Sequence, residues 1–596
     1  MVVGLLAIIF FLGASSFNYL TQNKNFVKWL SPDENANYVF SKLYAQEKKL
    51  TIYEGYNLYT GGIMYPRSFR SDNGYIKPVS FLGLILIYGQ IASWTSVAIL
   101  PYLTPFFGAL GLIFFYSLIS NIFGRRNGII SAFLLAFFPP YIYYSARSMF
   151  HNVLFVVLLI IGLYFISAVI KNSKSQKIID NNEPSDKINK FKKFLPGLKN
   201  NFLAALGGGM LGLSIITRTS ELIWLGPLLV LLWIFNIKKI DLVNLLIIIS
   251  FAAVTFIPVF YWNQILYGAP TSSGYPQMTE SINNIASAGT DLVKPQNLIQ
   301  PGKVKMILKN INNNIFQFGL KPRDSLAKFI NYSARMFFWL FWPAAAGFLF
   351  LLLKIYKLKR VYILYIISFL TVSVFLILYY GSWNFHDNPD PKSITIGNSY
   401  TRYWLPIYLG AIPFISLIII KISRLALVAR RVLYKQVYNS YNPKADKWRV
   451  IFKRVSMDSI KILFVIILSF LSLFNVLFAR EEGLVETYQK QKNTEKIYFE
   501  VLKLTENNST IITRYYDKLF FPERKVIVGV FDDDNMISEY AKLVDYLPVY
   551  YYNFTLPSKD FNYLNNRKLK QFGIGLKKVK SVEGGFTLYK LIRTSN

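Results

Sequence analysis

The chain has no cysteine among its 596 residues, which excludes disulfides, thiolate metal sites and a cysteine nucleophile. Its only histidines are His151 and His386, so a three-histidine zinc site is excluded as well. Acids are scarce, with 32 Asp and Glu against 66 Lys and Arg. No G-x-x-x-x-G-K-[ST] phosphate loop occurs, which argues against an ATP-driven pump. Charged residues of both signs make up only 16% of the chain, against 53% hydrophobic residues and a mean hydropathy of +0.33. A soluble protein of this size does not carry so few charges, and the apolar residues fall in long runs, as in a polytopic membrane protein.

The formal net charge of +34 raises a nucleic-acid reading, which the placement of the charge removes. Lys and Arg cluster in short connectors between apolar runs, the pattern of the positive-inside rule. There is neither a basic domain nor a recognition motif, so nucleic acid is not an expected partner.

Eleven apolar runs approach the length of about 20 residues needed to cross a bilayer. They lie near 1–20, 101–122, 129–144, 152–170, 202–217, 221–236, 242–262, 333–353, 361–380, 403–420 and 461–479. The first lacks a basic n-region and a small-x-small cleavage site and reads as a retained signal anchor. A further run, 79–100, is apolar but contains Gln90 and Ser93 and ends at Pro101. The basic connectors are 171–200, 421–461, Gly124-Arg125-Arg126, Lys238-Lys239 and Lys354–Arg360. All become cytoplasmic together if the N-terminus is inside and eleven segments cross. Loops 20–100, 263–332 and 381–402 and the C-terminal tail then lie outside, which requires 79–100 to rest along the surface. In the other solution 79–100 spans, the N-terminus is outside and Asp33 is cytoplasmic. The 20–78 loop is basic enough that charge alone does not choose. Residues 1–480 thus form the transmembrane domain. Residues 481–596 read as a small α/β domain, with strand-like strings at 510–513, 525–530 and 549–552 and helical patterns near 489–506, 536–546 and 558–570.

Ionisable residues beside membrane spans are costly and are functional candidates by default. Asp33 and Glu34 follow the first span, in Ser31-Pro32-Asp33-Glu34-Asn35. Lys77 closes the first outer loop. Arg147 and His151 share one outer turn, Arg218 and Glu221 another, and Arg402-Tyr403 opens the tenth span. Carboxylates and cations gathered on one membrane face suit transfer from a phosphate-activated donor: the carboxylate takes an acceptor proton and the cations neutralise the departing phosphate. Plainer readings stand beside this. Asp33-Glu34 after Pro32 also reads as an N-cap of a helix running from Asn35 to Glu47. Arg147 and Arg402 also read as headgroup anchors, and Arg218 with Glu221 as an i, i+3 ion pair. His386-Asp387 is a candidate divalent-metal site inside what more simply reads as a solvated Pro-rich turn.

With these residues in place, the layout resembles the GT-C superfamily of polyprenyl-phosphate-dependent glycosyltransferases, in particular the protein O-mannosyltransferase and aminoarabinose transferase group. Asp33-Glu34 resembles the Asp-Glu pair of the first outer loop, and Tyr75-Ile76-Lys77-Pro78 the Lys-Pro element that ends it. Phe123-Gly124-Arg125-Arg126-Asn127-Gly128 resembles the turn after the second span, and Arg402-Tyr403-Trp404-Leu405-Pro406 the late Arg-Tyr-x-x-Pro element. The resemblance implies inverting transfer of one sugar from a polyprenyl-phosphate (dolichyl-phosphate-type) donor to a protein, lipid or glycan acceptor on the extracytoplasmic face. It maps Asp33 to the general base and Glu34 to its partner, and Lys77, Arg147, Arg402 and Tyr403 to the donor phosphate. It also favours 79–100 lying on the outer surface. The sequence departs from the group at His151-Asn152, where soluble-acceptor members carry an acid. It also lacks a MIR-type domain and the Trp-Trp-Asp signature of oligosaccharyltransferases. A flippase for lipid-linked glycans is the competing reading, and it would need polar residues in mid-span.

Overall fold

Helices that meet lipid or other helices on every side must satisfy their backbone internally and be apolar all round. In a computed structural model of the chain, nine helices among the described residues are long and apolar enough to cross a membrane. The description covers all residues except 181–188, 277–279, 281–282, 285–286, 288–300, 386, 388–389, 391–392, 440–456, 583 and 595–596. Two more spans are bent pairs. Arg125–Ala136 and Pro139–Arg147 meet at 54°, and Pro322–Arg335 and Phe338–Leu352 at 105°. The first bend precedes Pro139-Pro140, whose rings cannot continue the incoming helix. The second follows a π-helical turn at Ile330–Arg335. Counting each pair once gives up to eleven spans, the number expected, although the runs 129–144 and 333–353 fall on these bent pairs and not on straight rods. The chain is a multi-pass membrane protein.

The 79–100 run is not one helix. Helix α3, Leu82–Trp94, has 13 residues and is about 20 Å long at 1.5 Å per residue. That is too short for a hydrocarbon core of about 30 Å. The residues from Val97 onward belong to the next span, Val97–Phe123. Two glycines seat α3. A Cβ on Gly83 would lie 2.3 Å from the Ile216 carbonyl oxygen, and one on Gly89 2.9 Å from that of Ser41. Helix α3 therefore lies against α2, Pro32–Glu47, and the end of a membrane helix.

The first loop also folds a three-stranded antiparallel sheet from β1 (Ile52–Tyr53), β2 (Phe69–Asp72) and β3 (Tyr75–Pro78). Its β2–β3 hairpin turns at Asn73-Gly74, both with positive φ (48° and 79°), the pair that a two-residue type I′ turn demands.

After the helix Leu484–Leu504 comes a five-stranded sheet in the order β5-β4-β6-β8-β7. Strands β4 (Thr510–Thr513), β5 (Lys525–Val528) and β6 (Val549–Phe554) are parallel. Strands β7 (Ile574–Val582) and β8 (Phe586–Arg593) add antiparallel partners. Tyr550, Tyr551 and Tyr552 are core, at 3%, 4% and 0% exposure. Strands β7 and β8 lie beyond the strand-like strings read from the sequence; β7 is an edge strand whose exposed Lys577, Lys578 and Lys580 mask its period. The domain docks on the first loop through the Lys28–Glu523 ion pair at 2.7 Å. Phe69 meets Phe521 there at 5.1 Å between ring centroids.

Candidate active site

Helix α2 begins one residue before the expected caps. Ser31 is its N-cap, Pro32 takes the first turn, and Ser31 and Glu34 form a capping box in which Ser31 N–H donates to Glu34 Oε2 at 3.2 Å. The N-cap reading is thus corrected: the motif caps the helix through Ser31 and Glu34, which releases Asp33. The two adjacent carboxylates end in opposite surroundings, Glu34 at 0% and Asp33 at 36% side-chain exposure.

Glu34 Oε2 meets Arg147 Nη2 at 2.6 Å, and Arg147 Nη1 donates to the Tyr143 hydroxyl at 3.0 Å. Glu34 Oε1 is buried with no partner among the described residues. Burial pushes the Glu34 carboxyl up to about 7, against the pull of Arg147 and the Ser31 N–H.

Asp33 faces the accessible side. Ser68 Oγ donates to its Oδ1 at 2.6 Å, and Arg402 Nη2 lies 3.7 Å from its Oδ2. Arg402 sits on the short helix Ser399–Tyr403, and its carbonyl accepts from Asn152 Nδ2 at 3.1 Å. Its Nη2 also donates to Ser399 Oγ at 2.8 Å, and its guanidinium lies over Phe150 and Tyr403 at 4.6 and 5.2 Å. Its Nε is buried with no partner among the described residues. An arginine with five donors in a fixed fork thus keeps a buried N–H unspent beside an accessible carboxylate.

The other expected residues distribute as follows. Tyr403 is stacked on Tyr380 at 4.5 Å and carries the Arg218 guanidinium at 4.6 Å. Arg218 and Glu221 form the i, i+3 pair at 2.8 Å, with Tyr380 and Trp224 also donating to Glu221. His151 is buried, its Nε2 3.0 Å from the Phe81 carbonyl and its Nδ1 3.4 Å from Asn37 Nδ2. That pattern fits a neutral ring protonated at Nε2. Lys77 turns to Asp72 at 2.8 Å and to the Leu266 carbonyl at 2.9 Å, so its known partners lie on the hairpin and at the end of a span. Asp387 is exposed and accepts from Ser399 N–H at 2.7 Å, while His386 lies outside the described residues. Among the described residues no group of three or more His, Asp or Glu is placed to hold a metal.

Several contributors carry no sequence signal. Ser148 and Met149 both adopt left-handed backbone (φ 65° and 55°), a strained conformation that persists only when its surroundings hold it. Met149 is pinned by Thr104 Oγ1 on its N–H at 3.1 Å and by Asn37 Nδ2 on its carbonyl at 2.8 Å. Lys518, from the C-terminal domain, interacts electrostatically with Glu34 and Arg147. Desolvation, then Arg67, pulls it down to about 8. One helical turn from Tyr403 and Tyr380, Ile407 and Ile377 line an apolar cavity of 210 Å³ walled further by Phe138, Phe337, Ala411 and Phe414.

No family model matches the sequence, and no curated protein matches it. Solved structures do resemble it. ArnT from Cupriavidus metallidurans in the apo state is 10% identical with a TM-score of 0.51, over 98% of this chain and 97% of that one. The archaeal oligosaccharyltransferase AglB from Archaeoglobus fulgidus, in complex with an inhibitory peptide and a dolichol-phosphate, is 12% identical with a TM-score of 0.47. That match covers 98% of this chain and 73% of AglB. The fold of this chain is that of ArnT.

Proposed function

We propose that this protein transfers a single sugar from a polyprenyl-phosphate donor to a hydroxyl of a protein, lipid or glycan acceptor, on the extracytoplasmic face and with inversion. The observation that carries the reading is the accessible Asp33 carboxylate 3.7 Å from Arg402, whose buried Nε has no partner among the described residues. Asp33 takes the acceptor proton as the acceptor oxygen bonds to the anomeric carbon. The bond from that carbon to the phosphate breaks with its electron pair, which stays on the lipid phosphate. Arg402 meets that growing charge with preorganised donors in a site of low dielectric. Tyr403 holds the guanidinium face, and the apolar cavity beyond it suits the first isoprene units of the carrier. Glu34 and Arg147 serve as the buried pair that orients the start of α2. The fold shared with ArnT, an aminoarabinose transferase, agrees with this chemistry without specifying sugar or acceptor.

The test is turnover by the purified protein in nanodiscs, offered radiolabelled dolichyl- and undecaprenyl-phosphate hexoses and pentoses with cell membranes as acceptor source. The expected result is free polyprenyl phosphate with label in an acceptor. Labelled lipid crossing the bilayer of proteoliposomes with its sugar attached would instead identify a flippase. Arg402→Ala should lower transfer about a hundredfold, the loss typical of one preorganised donor to a developing anion. Arg402→Lys should recover little of it, because an ammonium cannot reproduce the fork. Equal rates for the three proteins would remove Arg402 from the phosphate site.

A further inference from the structure

The loop residue that holds Asp33 is itself held by the distant C-terminal domain. Ser68 has φ 67°, a backbone that residues other than glycine rarely adopt. It lies in a turn closed by Phe69 N–H donating to the Pro66 carbonyl at 3.3 Å. The preceding residue, Arg67, is clamped by one carboxylate. Its backbone N–H donates to Asp517 Oδ2 at 2.8 Å, and its Nη2 and Nε donate to Oδ1 at 2.6 and 3.1 Å. Arg67 Nη2 also reaches the Tyr515 carbonyl at 3.2 Å. Asp517 is 0% exposed, so this charge is buried against a partner that uses both of its oxygens. It opens the short helix Asp517–Phe520, just past the carboxyl end of the central parallel strand β4, where open α/β sheets carry their functional loops.

From this chain of contacts we infer that the C-terminal domain sets the position of the Asp33 carboxylate, with Asp517, Arg67 and Ser68 as positioning residues. The inference rests on the reading of Asp33 as the base. Among the described residues, the other groups that interact with Asp33 lie outside the C-terminal domain: Arg402, His151 and Tyr275. Donor binding at Arg402 is therefore independent of the clamp. The clamp sets turnover, and it ties catalysis to docking of the domain.

Two measurements on the full-length protein in nanodiscs test this. The first needs no substrate: carbodiimide labelling of Asp33, read by peptide mass spectrometry. Ser68→Ala and Asp517→Asn should each raise the labelling rate about fivefold, and the double variant should go no further, because both act along one path. Glu523→Gln, which breaks the docking pair with Lys28 on another contact, should leave Asp33 labelling unchanged. The second is turnover with the radiolabelled polyprenyl-phosphate sugars. Ser68→Ala and Asp517→Asn should lower kcat ten- to a hundredfold with KM for the lipid donor within twofold. Ser68→Ala touches no docking contact, so its loss is separable from a detached domain. If Asp517→Asn leaves labelling and kcat within twofold of wild type, or if the double variant multiplies the single losses, the positioning role is overturned. Full activity of Asp33→Asn would instead sink the assignment of the base, a different outcome.

Discussion

Asparagine at position 33 is expected to lower sugar transfer about a thousandfold, near 4 kcal/mol of barrier, within the range contributed by a positioned general base. The substitution is close to isosteric, and the amide oxygen still accepts from Ser68 Oγ, which holds the native Oδ1 at 2.6 Å. The capping box of α2 uses Ser31 and Glu34, not Asp33, so the helix start is untouched and the protein should fold and insert as before. What disappears is the capacity to take a proton. The substitution also removes the negative charge 3.7 Å from Arg402. Affinity for the anionic donor should therefore hold or improve while kcat collapses, a split that general disruption would not produce. Turnover near the wild-type rate in Asp33→Asn membranes would rule out Asp33 as the base.

The second large effect concerns stability. Glu34→Gln leaves the Arg147 guanidinium buried with the Tyr143 hydroxyl at 3.0 Å and the faces of Tyr143 and Phe150 at 5.4 and 5.3 Å as its neighbours. Removing one partner of a buried pair costs about 3–5 kcal/mol, because the other charge stays desolvated and uncompensated. Arg147→Met should cost less. Glu34 is already pushed up to about 7 by burial, so without Arg147 it takes a proton and becomes neutral, an escape closed to an arginine. Combining Glu34→Gln with Arg147→Met should recover most of the loss of the first, since replacing both members of a buried pair is often close to neutral. Thermal unfolding of the three variants in detergent checks the order. A double variant less stable than Glu34→Gln alone would show that the pair is not the source of the penalty.

Much of the fold is legible in single stretches of chain. Each apolar run long enough to cross a bilayer declares itself by its own length and composition, and so do the basic connectors. Local chemistry failed where an element depends on its neighbours. Residues 79–100 read as one run because apolar character does not reveal the break before Val97, and Gly83 and Gly89 acquire meaning only from the backbones they approach at 2.3 and 2.9 Å. The Asn73-Gly74 dipeptide is by contrast a local hairpin signal, complete in two residues. Strand β7 was hidden by its edge lysines.

The site divides in the same way. Asp33, Glu34, Arg147 and Arg402 stand out because charges beside apolar runs are rare, and the Ser31-x-x-Glu34 spacing announces a helix start. Which charges meet is not written in any window. Arg147 goes to Glu34, Arg402 lies beside Asp33, and Lys77 turns to Asp72. Arg67 finds Asp517 across 450 residues of chain. The sequence alone determined that this is a many-span membrane protein with carboxylates and cations at the ends of its spans, since apolar length and local charge are properties of short segments. Only the tertiary structure decided which carboxylate is buried, which is accessible and which domain holds it, because desolvation and pairing are properties of the space that distant segments enclose together.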